Sequence, residues 1–88
     1  MADYRMCLAC QLRLRYGISQ KEIAKAAGVT RQLISLIELE KENQTKGHEV
    51  MLRRAFAGII AARRQQMDAL EHDLAVTSWL FSPSEEEN

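Results

Sequence analysis

Several things are missing from this sequence, and each absence narrows the reading. No apolar run approaches the roughly 20 residues that would span a bilayer, and Met1-Ala2-Asp3 leads into charge, unlike the apolar stretch of a signal peptide. The chain is therefore expected in the cytoplasm, with no membrane partner. Cysteine occurs only at Cys7 and Cys10, in the string CLAC. A tetrahedral zinc would need two further ligands, and His48 and His72 are single and remote. Packing of the two sulfurs one helical turn apart is favoured over metal or redox chemistry. No His and carboxylate share a recognisable frame, and no glycine loop could cradle a phosphate. No enzyme activity, cofactor or small-molecule ligand is inferred. Proline occurs once, at Pro83, and residues 48–78 contain neither proline nor asparagine, which leaves that segment without turn signals. Finally, no Lys or Arg follows Arg64.

That last absence exposes what a net charge of +0 conceals. Residues 1–64 hold all twelve Lys and Arg against six acids, a net of +6, whereas residues 65–88 hold six acids alone, a net of −6. A basic front favours a polyanion at one end, and the acidic back discourages unspecific sticking there. With 88 residues the chain closes one modest core, for which self-association is a natural supplement.

The apolar spacing predicts an all-α chain. Asp3 can cap a first helix running to about Tyr16, with Met6, Ala9, Cys10 and Leu12 on its inner face and Arg5, Arg13 and Arg15 elsewhere. Gly17 stops it. Ile18-Ser19 followed by Glu22 reads as a capping box with an apolar neighbour ready to staple, opening a helix to Ala27 that buries Ile23, Ala24 and Ala27. In Gly28-Val29-Thr30, the glycine permits a left-handed corner, Val29 plugs the angle and Thr30 caps the next helix. That helix, Arg31 to about Leu39, points Ile34 and Ile37 inward. Two short helices joined by such a corner make a helix-turn-helix.

The residues Gly17-Ile18-Ser19-Gln20, Ile23-Ala24, Gly28-Val29-Thr30, Ile34-Ser35 and Ile37-Glu38 together resemble the signature of the lambda-repressor-like, or Xre-type, DNA-binding domains. The resemblance spans roughly residues 5–60. It implies a compact helical domain whose second motif helix enters the major groove of double-stranded DNA, with Gln20 on a phosphate and Thr30, Arg31, Gln32 and Ser35 facing the bases. Within that frame, Arg31 can reach guanine and Gln32 adenine bidentately. Leu36 stands where the family usually has a polar residue: it either touches a thymine methyl or serves a protein contact. Lys21, Arg13, Lys41 and Lys46 are further phosphate candidates, and Arg53, Arg54, Arg63 and Arg64 could flank DNA or pair with acids across a dimer. Leu39-Glu40 replaces the Arg-Gly that often ends the third helix, so that helix is expected to run on or to end irregularly.

After a polar connector, Asn43 to Gly47, residues from Glu49 to about Ser78 are expected to form one long helix, Gly58 being the only break signal within it. Its first half packs on the motif helices. Phe56, Ile60, Met67, Leu70 and Leu74 recur at heptad spacing, with Arg63 in one apolar slot. Together with Trp79 and Phe81 they are the expected homodimer interface, the Trp79-Leu80-Phe81 knot covering the stripe in its own chain or in a second one. The domain reading is a DNA-binding unit over 1–62, a dimerising extension over 63–81 and an acidic, disordered tail over 82–88. The function expected is a sequence-specific regulator, a repressor on an inverted repeat; the alternative is the same fold used to contact protein, as an antirepressor or assembly factor.

Overall fold

The computed structural model describes residues 6–81 and Pro83. Among these residues the chain is all helical: α1 (Leu8–Arg15), α2 (Gln20–Ala27), α3 (Arg31–Leu39), a 3-10 turn (Lys41–Asn43) and α4 (Lys46–Val76). The expected Asp3 cap and most of the acidic tail lie outside the described residues. The first helix starts at Leu8, later than the spacing suggested, with Cys7 extended in front of it.

Each corner follows from a local rule. Gly17 and Gly28 both take positive φ, 66° and 73°, a region that costs a side chain but not glycine. Ser19 Oγ accepts from the Glu22 backbone N–H at 2.9 Å, and Thr30 Oγ1 accepts from that of Leu33 at 3.1 Å, so both motif helices are capped as expected. Only half of the capping box forms. The Glu22 carboxylate turns away from Ser19 and takes Arg63 of α4, at 3.0 and 3.2 Å.

The core is small and made by α2, α3 and the first half of α4. Ile18, Ile23, Ala24, Ile34, Ala55 and Ile59 form its buried cluster, and Ala27, Val29, Met51, Leu52 and Phe56 pack around it. Ile23 and Ile34 are both 1% exposed, so each contributes about 1.5–3 kcal/mol of burial. Ala24, 4% exposed, lets α2 and α3 approach.

The third helix stops without a glycine. Glu40 is extended, its N–H still bonded to Leu36 O at 2.9 Å, and the Gln44 side-chain amide donates to Ile37 O at 2.9 Å. A side chain from beyond the 3-10 turn thus satisfies a carbonyl that a glycine cap would have left to the backbone.

The fourth helix is continuous for 31 residues, capped by Thr45 Oγ1, which accepts from the His48 N–H at 3.1 Å. It begins three residues before the expected start, taking Lys46 and Gly47 out of the connector. Gly58 does not break it, since one glycine costs only about 1 kcal/mol relative to alanine. Among its residues only Ala55 and Ile59 are buried, and everything from Arg64 to Val76 is exposed. Those 13 residues extend roughly 20 Å past the core at 1.5 Å per residue.

Candidate nucleic-acid interface

The face of α3 opposite Ile34 and Ile37 carries Arg31 and Gln32, both exposed, half-buried Ser35, and Leu36 and Leu39, which are 43% and 78% exposed. Neither Arg31 nor Gln32 makes a side-chain hydrogen bond among the described residues, so both are free to reach outward. Thr30 has its hydroxyl oxygen on the Leu33 N–H, at the head of the helix.

Beside that head lies a shallow polar notch lined by Arg13, Ser19, Gln20, Lys21 and Arg31. It joins the start of α2 to the start of α3. Two side chains expected on phosphate, Gln20 and Lys21, therefore stand with Arg31 in one place. Lys41 and Lys46 sit elsewhere, beyond the far end of α3, and the Lys46 ammonium is 3.2 Å from Glu49 Oε1. That pair and Arg53, 3.4 Å from the same carboxylate, hold the Glu49 carboxyl below its usual range, the hydrogen bond from Lys46 contributing most.

Arg13 is a correction. It faces inward, 7% exposed, because it lies one turn after buried Cys10 on the inner side of α1. Its Nε donates to Glu38 Oε2 at 2.7 Å and a terminal nitrogen to Oε1 at 3.1 Å; the other terminal nitrogen donates to Ile18 O at 3.0 Å. The bidentate pairing commits most of the Arg13 guanidinium inside the fold, although it borders the notch. Gln20 Nε2 also donates to Glu38 Oε1, at 3.1 Å. An amide has two N–H groups, so the second remains for an external acceptor. Burial alone would push the Glu38 carboxyl up; the hydrogen bonds from Arg13 and Gln20, with the Arg13 charge, outweigh it and hold the group below its ordinary value. The same hydrogen bond to Glu38 raises Arg13 above an already high value. Glu38 thereby ties α1, α2 and α3 together through two charged or polar contacts.

Residues 11–47 match the family model HTH_3, helix-turn-helix. Over this segment, which holds α2 and α3, the chain is similar to helix-turn-helix proteins. Among the described residues no helix is long and apolar enough to cross a membrane. No match was found among the curated proteins or among the solved structures. The family match ends at Gly47, so nearly all of α4 lies outside it.

Around the helix-turn-helix, Cys10 is buried as expected, its sulfur 3.6 Å from an Arg13 nitrogen, and burial followed by the nearby Glu38 charge pushes its thiol up. Arg63 has an acid partner in its own chain, Glu22. Besides Glu22, it donates to Tyr16 O at 2.9 Å and Gly17 O at 3.3 Å, docking α4 on the turn between α1 and α2. Phe56 is half-buried, packed against the core on one side and lining the groove between α1 and α4 on the other. The remaining apolar candidates, Ile60, Met67, Leu70, Leu74, Trp79 and Phe81, are all exposed. Trp79 and Phe81 pack on each other edge to face, centroids 5.3 Å apart, and do not cover the stripe.

The roles of Glu38 and Arg13 were missed from sequence, yet a signal was there. Glu38 stands four residues after Ile34 and Arg13 three after Cys10, both on inward-facing positions. A charge on a buried stripe calls for an opposite charge on the helix it faces.

Proposed function

We propose that this protein is a sequence-specific transcriptional regulator, a repressor that occupies an inverted-repeat operator as a homodimer. The observation that carries the reading is the pair Arg31 and Gln32, exposed and uncommitted at the head of α3, beside the notch that holds Gln20 and Lys21. In this reading α3 lies in the major groove, where Arg31 and Gln32 take base edges and Thr30, Ser35 and Leu36 complete the contact. Gln20 and Lys21 clamp phosphates, with Lys41 and Lys46 reaching the backbone farther along. Phosphate contacts set register and salt dependence; base contacts set sequence.

Residues 63–81, the projecting end of α4 and the short segment after it, supply the dimer. Two copies place their recognition helices about 34 Å apart and read half-sites one helical turn apart. Selection of bound duplexes from a random pool at two salt concentrations tests this. A two-fold symmetric consensus is expected, and Arg31→Ala should relax one base position by about 1–3 kcal/mol of discrimination. An asymmetric or absent consensus refutes it.

A second reading rests on the far end of α3. Leu36 and Leu39 form an exposed apolar corner followed by Glu40 and Glu42, which suits a protein surface better than DNA. Loss of DNA binding in Arg31→Ala with Leu39→Ser silent supports the first reading; the reverse supports the second.

A further inference from the structure

An apolar groove of about 940 Å³ runs between α1 and α4, walled by Leu8, Leu12, Tyr16, Leu52, Phe56 and Ile60, with three arginines, Arg53, Arg63 and Arg64, and two acids, Glu49 and Asp68, among its charged lining. One segment of this chain has the matching character: the Trp79-Leu80-Phe81 knot, exposed and followed in sequence by acidic residues. In its own protomer it reaches only the mouth of the groove: from Val76 back to Met67 the helix measures about 14 Å and back to Phe56 about 30 Å at 1.5 Å per residue, whereas the five residues from Thr77 to Phe81 reach at most about 17 Å when extended.

We infer that two copies pair through antiparallel α4 helices, and that the Trp79–Phe81 knot of each fills the α1/α4 groove of the other. This rests on the homodimer proposed above and specifies its geometry. Charge decides the direction. Parallel pairing sets Arg63 and Arg64 against themselves and the acids Asp68, Glu71 and Asp73 against themselves; antiparallel pairing sets the basic stretch against the acidic one.

The stripe decides the register. A two-fold axis between Met67 and Leu70 stacks Met67 on Leu70 of the second copy, puts Leu74 level with Arg63 and Ile60 level with Thr77 of the second copy, and sets Arg64 level with Asp73 and within about 3 Å along the axis of Glu71. Val76 is then level with Ala61 of the other helix, so the knot continues over the groove wall between Leu52 and Ile60. Aromatic side chains bury about 150–250 Å² each, so two copies of Trp79 and Phe81 alone hide roughly 600 Å² or more. With the stripe this passes the ~1,000 Å² expected of a specific interface. The core-facing stretches of α4, around Ala55 and Ile59, come to lie about 35 Å apart along the shared axis at 1.5 Å per residue, which is the separation of successive major-groove turns.

Trp79 is the sole tryptophan, which makes it the reporter. Raising the concentration of the full chain, without DNA, through its dimerisation range should shift Trp79 emission to the blue in step with sedimentation. Leu8→Glu alters an exposed groove wall on α1, outside the α4 stripe, and should return the emission to its solvent-exposed position with helicity by circular dichroism unchanged. Arg64→Glu and Glu71→Arg should each weaken the dimer by about 3- to 10-fold, since each creates two like-charge contacts, and the double variant should recover to within about 2-fold of wild type. A wild-type chain that sediments as a monomer at all concentrations overturns the homodimer itself. A wild-type dimer whose Trp79 emission ignores Leu8→Glu, or whose double charge variant shows no recovery, overturns the antiparallel docking alone.

Discussion

Removing one partner of the Arg13–Glu38 pair should be the most damaging single polar change in the domain. Both groups are 7% exposed, and Glu38 receives two hydrogen bonds from Arg13 and one from Gln20. In Glu38→Ala, Arg13 keeps only Ile18 O at 3.0 Å and the Cys10 sulfur at 3.6 Å, and its charge stays out of water. Orphaning a buried charge costs about 3–5 kcal/mol. A small domain holds about 5–15 kcal/mol in all and tends toward the lower end, so the variant should be close to unfolded at 37 °C. With a urea slope of about 1 kcal/mol per molar, the midpoint should fall by about 3 M or more. Replacing both groups by apolar ones, Arg13→Met with Glu38→Leu, should restore most of the loss, because two desolvated ions are exchanged for packing. The pH dependence carries a second signature. The Glu38 carboxyl titrates lower when folded than unfolded, so its contribution is complete above the ordinary carboxylate value of 4.5 and is lost as pH falls from there through the folded value. Urea melts in that range should therefore be steeper in pH for wild type than for the double variant. A loss below about 1 kcal/mol in Glu38→Ala would place the pair among solvated surface bridges and refute the reasoning.

The two isolated glycines should respond oppositely to alanine. Gly28→Ala should cost about 1–2 kcal/mol from positive φ alone, since a Cβ there meets nothing within 4 Å, whereas Gly58→Ala, in a straight helix with equal space, should stabilise by about 0.5–1 kcal/mol; thermal melts of both check the signs. Arg63→Ala removes a pair whose side chains are 40% and 38% exposed, so a loss of only about 1 kcal/mol is expected in urea, and 3 or more would contradict the solvated geometry. Lys21→Ala should lower DNA affinity about equally for all sequences and reduce the salt slope by about one; a loss confined to one sequence would contradict a phosphate role.

Local rules made most of the fold readable from sequence. Ser19, Gly28 and Thr30 act through neighbours a few residues away, so their caps and corner follow from spacing alone, and so do the inward positions of Ile23, Ile34 and Ile37. What could not be read was which distant side chains meet. Glu22 fits a capping box locally, but Arg63, 41 residues on, offers a charge that the Ser19 N–H cannot match. Arg13 looks like surface charge when each helix is taken by itself; its burial becomes visible only once Glu38 is recognised as a charge on the inner face of another helix. The ending of α3 is similar, since Gln44 caps Ile37 from across the 3-10 turn and nothing in the helix itself announces it. Arg31 and Gln32, the side chains proposed to face DNA, stand exposed on α3 and clear of the core, where helical periodicity puts them.

The one polar slot in the α4 stripe marks where the helix changes role. Up to Phe56 and Ile59 its inner face closes the core of its own domain, and from Met67 onward the same face is bare. Arg63 lies between, fastened to Glu22 and to the carbonyls of Tyr16 and Gly17. A leucine at this position would extend the stripe but leave α4 held to the α1–α2 turn by packing alone. The guanidinium instead sets the angle at which α4 leaves the domain, and that angle relates α3 to whatever α4 pairs with. Where α4 joins two protomers, weakening this anchor should leave binding to a single half-site unchanged and broaden the half-site spacings that the pair accepts. The energy at stake is small because the bridge is half solvated; its importance lies in geometry, transmitted over a helix that projects roughly 20 Å beyond the core.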